Sequence, residues 1–211
     1  MPDQLPVRFE EPIPDYHIRT GFYLKAGWEL FKQNALGYVG FSVVLILVLI
    51  ALNKLPGLGQ VLVTVLVTPL SGGLIVVALK SLQQQPIDIN DFGKGFAYFL
   101  PLMLYGVVSG VIISLGFVLL IIPGIYFAVG YLFPAWLIID RRMDFWPAME
   151  LSRKTMQKRF FEVFGFSLIL LLINFGGLLL LGLGFFVTLP YTFCVLTVAY
   201  RDIFGIHAQV Y

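Results

Sequence analysis

GFAYFLPLMLYGVVSGVIISLGFVLLIIPGIYFAVGYLFPAWLII, residues 95–139, runs for 45 residues without a charged side chain. A helix needs roughly 20 apolar residues to cross a bilayer, so this stretch is long enough for two crossings. Pro123-Gly124 supplies a turn signal near its middle. Three more uncharged runs surround it, at 33–53, 55–79 and 163–200, of 21, 25 and 38 residues. The last is again of double length, and Gly182-Leu183-Gly184 divides it. Pro56-Gly57-Leu58-Gly59 separates the first two beside Lys54. The chain therefore reads as all-α, a polytopic transmembrane helical bundle of six spans forming three helical hairpins. The spans fall at about 37–54, 58–80, 98–121, 124–139, 162–181 and 184–200.

Composition agrees. The 211 residues are 59% hydrophobic and 12% charged, with mean hydropathy +0.90, whereas soluble domains carry about 25% charged residues. Charge placement then sets orientation. Of the 14 Lys and Arg residues, 13 fall on the side of the termini and the long loops, and Lys54 alone falls on the other. Short basic loops stay cytoplasmic, so both termini are expected in the cytoplasm, with three very short outer turns. The fourth and sixth spans, drawn at 16 and 17 residues, are short; either their turns sit in the headgroup layer or they are re-entrant.

The hairpins look like three versions of one unit. Each is preceded by an amphipathic stretch, read as a cytoplasmic interfacial helix, and each second arm holds a proline: Pro69, Pro134 and Pro190. In the first stretch Leu24, Trp28, Phe31 and Ala35 recur at helical spacing opposite Lys25, Glu29, Lys32 and Gln33, with Thr20 as a candidate cap. In the third, Met149, Ser152, Met156, Phe160 and Val163 form the apolar stripe. The middle one offers Asp88 or Asn90 as cap and Phe92, Phe96 and Phe99 at i, i+4 and i+7, with Gly93 and Gly95 weakening it. Arg153, Lys154, Lys158 and Arg159 are the densest basic cluster, a candidate contact for anionic lipid headgroups or an acidic partner. Orientation of the protein alone also accounts for them.

No Asp, Glu, Lys, Arg or His falls in the middle of a drawn span, which argues against proton-coupled transport. Hydroxyls and amides at Thr64, Thr68, Ser71, Ser109, Ser114, Asn174, Thr188, Thr192 and Thr197 suit helix-to-helix hydrogen bonds better than a translocation path. Gly106, Gly110 and Ser114 make a small-residue stripe for close helix packing, with Gly72-Gly73 and Gly176-Gly177 as further candidates. Pro69, Pro134 and Pro190 free backbone carbonyls, and kinks there, with Asn174, are the candidate edges of a cavity.

The inventory for catalysis is poor, and the chain reads as no enzyme. Cys194 is the only cysteine, His17 and His207 lie near opposite ends without a ligand cluster, and no phosphate loop, nucleophile elbow or zinc signature occurs. No cofactor, metal or nucleic acid is expected. Residues 1–19, with four prolines and no apolar h-region, read as a flexible cytoplasmic tail; 20–205 form the transmembrane domain and 206–211 a short cytoplasmic tail. Asp140-Arg141-Arg142 and Arg201-Asp202 read as local ion pairs at helix ends.

The run Ile121-Ile122-Pro123-Gly124-Ile125-Tyr126, then Phe133-Pro134, Asp140, Ala148, Ser152 and Tyr200-Arg201-Asp202, resembles the YciC-like bacterial six-helix membrane proteins. It is also similar to the membrane domain fused ahead of the catalytic domain in some glycerophosphodiester phosphodiesterases. That catalytic domain has no counterpart in these residues, so the resemblance implies a membrane module without hydrolase activity, in a bacterial inner membrane or an internal membrane. Two functions fit: a scaffold or accessory subunit that holds a membrane-protein partner or organises lipid, and a carrier or channel for a small neutral or lipid-like solute.

Overall fold

The computed structural model describes residues 15–179 and 182–207. Among the described residues the regular structure is all helix, with no strand. In chain order come α1 (Thr20–Gln33), α2 (Ala35–Asn53), α3 (Gly59–Leu82), a 3₁₀ helix (Ile89–Tyr98), α4 (Phe99–Leu119), α5 (Ile121–Gly130), α6 (Pro134–Arg141), α7 (Phe145–Gln157), α8 (Phe160–Leu179) and α9 (Phe185–Phe204). Among the described residues five stretches are long and apolar enough to cross a membrane: Ala35–Asn53, Gly59–Leu82, Ile89–Leu119, Ile121–Arg141 and Phe160–Leu179. The sixth drawn span, α9, is not among them. It runs past residue 200 to include Arg201 and Asp202, and Pro190 and its threonines dilute it further.

The long helices pair through short turns, α2 with α3, α4 with α5 and α8 with α9. Each short helix then packs on the second arm of the preceding pair: the 3₁₀ helix on α3, α7 on α5 and α6, and α1 on α9, which closes a ring. Missing side chains mark these junctions. A Cβ on Gly27 of α1 would lie 2.7 Å from the Val195 Cα of α9, and one on Gly73 of α3 would collide with the Phe92 carbonyl.

The two arms of a pair differ in burial. In α3 every residue from Leu74 to Leu79 is at most 1% exposed, and α6 from Ala135 to Asp140 is buried on all sides. The first arms bury one stripe each: Tyr38, Ser42 and Leu45 in α2, Val163, Phe166 and Leu170 in α8. Their other faces expose Val44, Leu47 and Ile50, or Leu171, Leu172 and Phe175. A helix that is apolar all round must be covered by protein or lipid.

Details of the sequence reading shift. The middle short element is 3₁₀, so at three residues per turn positions four apart diverge: Phe92 is buried while Phe96 is exposed and stacks on Phe99. In α1 the buried face is Tyr23, Gly27, Leu30 and Phe31, which leaves Trp28 at the edge against Tyr191, and Arg19 rather than Thr20 holds the N-cap position. Residues 1–14 and 208–211, most of the two assigned tails, lie outside the described residues. From Asp15 the chain is tied down: the Tyr16 hydroxyl donates to the Thr155 carbonyl (2.9 Å) and the Ile18 N–H to Glu162 (3.1 Å).

Candidate functional site

Pro134 has no N–H, so it cannot donate to the carbonyl of Gly130 four residues back. The helix breaks there, between α5 and α6. Ser152, on α7, fills the gap: its hydroxyl donates to the Gly130 carbonyl (2.7 Å) and accepts from the Phe133 N–H (3.2 Å). Tyr105 of α4 donates to the next carbonyl, Tyr131, at 2.9 Å. Three elements thus converge on one proline.

Charged side chains gather at the helix ends. Asp91, 1% exposed, accepts from Lys80 of α3 (2.6 Å) and Lys94 (2.7 Å) and from the Asp88 N–H (2.7 Å), which ties the start of the 3₁₀ helix to the end of α3. Asp140, equally buried, accepts from the Tyr200 hydroxyl (2.8 Å) and the His207 N–H (3.1 Å), while Arg141 donates to the Phe204 carbonyl (2.6 Å). Asp202 reaches across the chain to Arg19 and to the Tyr23 hydroxyl (2.6 Å). Burial, and then the bond to Asp202, pushes the Tyr23 phenol up to about 12. The two acids read as local pairs also link distant segments, because α9 ends beside both α6 and α1.

The basic cluster is largely neutralised from within. Glu150 takes two bonds from Arg153 (2.8 and 2.9 Å) and one contact from Lys154 (3.3 Å), which holds its carboxyl below the usual range and raises Arg153. Arg159 contacts Asp15 (3.3 Å) and Glu162 (3.1 Å). Lys154 and Lys158 are exposed.

The small-residue stripe on α4 divides. Gly106 backs onto the Thr68 hydroxyl of α3, with which an added Cβ would collide, whereas Gly110 and Ser114 are exposed and a Cβ on Gly110 meets nothing within 4 Å. Pro69, Pro134 and Pro190 are all buried. Asn174 donates to Thr192 (2.7 Å) and to the Leu170 carbonyl (2.9 Å), joining α8 to α9. Trp136 joins α6 to α9 through Thr197 (2.9 Å). Among the described residues, cavities of 620, 410 and 390 Å³ indent the surface, and these three are lined by neither the candidate prolines nor Asn174. The 620 Å³ cavity lies between α2 and the 3₁₀ helix.

Sequence reasoning did not single out Asp91, Asp140 or Ser152 as structural ties. A signal existed for Ser152 alone, since Pro134 leaves one carbonyl in need of a donor. Among the described residues no three of His, Cys, Asp and Glu gather as metal ligands would. Compared with protein-family models, with curated proteins and with solved structures, the chain finds no match.

Proposed function

We propose that the protein crosses a bacterial inner membrane or an internal membrane six times, as three hairpins with both termini cytoplasmic, and acts as a non-catalytic scaffold or accessory subunit that holds a membrane-protein partner or organises lipid. The observation that carries this reading is the use of most interior polar groups in helix-to-helix contacts, the buried Ser42 and Thr188 hydroxyls excepted. Asn174 is spent on Thr192, Thr197 on Trp136, and Thr68 lies against Gly106. A carrier for a neutral solute would need those hydroxyls and amides lining a connected space, together with Ser71 and Thr188; Ser71 instead donates to the Thr68 carbonyl (2.9 Å). The exposed apolar faces of α2, α4 and α8 supply the surface that lipid or a partner helix covers.

Orientation is tested by cysteine labelling. Cys194 is buried, so background is low. In intact cells a membrane-impermeant maleimide is expected to modify Lys54→Cys and to spare Lys154→Cys; the reverse pattern overturns the topology. Purification in mild detergent tests the role. A stoichiometric protein partner supports an accessory subunit, and recovery of the chain with lipid alone restricts the role to lipid organisation.

A further inference from the structure

We infer that the groove between the first half of α2 and the 3₁₀ helix binds one phospholipid with an ammonium headgroup, of the phosphatidylethanolamine kind; this rests on the membrane-embedded reading above. Its 620 Å³ falls in the range of small-molecule sites. Polarity is graded along it. Asn34 and Asp88 line the end nearest the charged segment that carries Lys80, Asp91 and Lys94, and Phe41 and Val44 line the end that leads onto the exposed apolar face of α2. That gradient matches an amphiphile lying along α2 with its head at the charged edge.

The walls suit a tail and the rim selects a head. Gly37 and Gly40 on α2 and Gly93 opposite remove side chains from the path, above Phe41 and Phe92 stacked at 4.9 Å. A Cβ at Gly40 or Gly93 would meet nothing within 4 Å. Among the described residues Asp88 is the only charged one lining the groove. It is exposed, and accepting from Asn90 (3.0 Å) and from the Asp91 N–H of the capping box leaves its two oxygens with further acceptor capacity. A carboxylate there attracts an ammonium group and repels an anionic head.

Native mass spectrometry of the full chain, purified in mild detergent and titrated separately with phosphatidylethanolamine and phosphatidylglycerol, tests this. The wild type should retain one phosphatidylethanolamine and prefer it by about fivefold, the scale of an exposed ion pair. Gly40→Leu, and independently Gly93→Leu on the facing wall, should lower that occupancy about tenfold with the melting midpoint unchanged, since each fills the tail path. Asp88→Asn, which keeps a good N-cap residue, should erase the preference and retain the tail. Equal or tighter binding of phosphatidylglycerol by the wild type overturns the proposal. So does wild-type occupancy in both glycine variants, or unfolding of both, which would mean that the groove is closed. Reversal of the cysteine-labelling pattern would instead sink the topology on which the site depends.

Discussion

The first and second arms of the helix pairs are made of similar material and face different surroundings. Ala35–Asn53 has the highest mean hydropathy of the five apolar stretches, 2.7, and is only 17% buried; Ile121–Arg141 has the lowest, 1.8, and is the most buried, 56%. In water the order would be reversed. In a bilayer lipid is as apolar as leucine, so hydropathy gives no reason to turn inward and packing shape and hydrogen bonding decide. The inner arms carry much of what lipid cannot satisfy: the three prolines, Trp136, Tyr200 and Thr197, with Gly72 and Gly73 of α3 at close approach. The outer arms carry Leu, Val and Ile on the free face.

The sharpest way to break this contrast is at Asp91. Replacing it with Ala leaves Lys80, 8% exposed, without the Asp91 carboxylate and detaches the 3₁₀ helix from the inner arm α3. Loss of one member of a buried pair costs about 3–5 kcal/mol, so the detergent melting midpoint should fall far below wild type. Glu29→Ala, which removes the exposed pair with Lys32, should shift it by less than about 0.5 kcal/mol. Equal effects would mean that the end of α3 is not held by this cluster.

Next in size is a matched pair of serines. Ser152→Ala strands the Gly130 carbonyl and the Phe133 N–H at the helix break, each a buried group whose desolvation costs about 1–3 kcal/mol when unpaired. Ser167→Ala on the outer arm α8 loses only a bond to its own helix, at the Val163 carbonyl (2.8 Å), and should be near neutral. The midpoints of the two variants should differ by several degrees, in that order.

The sequence made the apolar helices, their turns and the charged edges legible, because length and charge are local properties. What it concealed was which residues meet. Asp202 sits next to Arg201 in sequence yet bonds Tyr23 and Arg19, since α1 lies along α9. The Phe92, Phe96 and Phe99 spacing suggests one apolar face, but Gly95 lets the backbone close against Gly72 and Gly73 of α3 and the segment winds as 3₁₀. The basic cluster on α7 was visible, and Glu150 within it was too, but not the two-bond geometry that neutralises Arg153. Pro134 announced a break; only the fold reveals that Ser152 repairs it.

The smallest predicted effect is also the most discriminating, because it divides a single helix. Gly106→Leu drives a side chain into Thr68 on α3, and overpacking of this kind costs about 1–3 kcal/mol. Gly110→Leu, one turn on, meets open space; its midpoint should stay within about 0.5 kcal/mol of wild type, or rise slightly, since Leu is the better helix former. If Gly110→Leu is instead as harmful as Gly106→Leu in the purified protein, another helix covers this part of α4 in the assembled state. The 410 Å³ indentation beside Thr64, Gly110 and Ser114 would then be its seat, and α4 would belong with the inner arms.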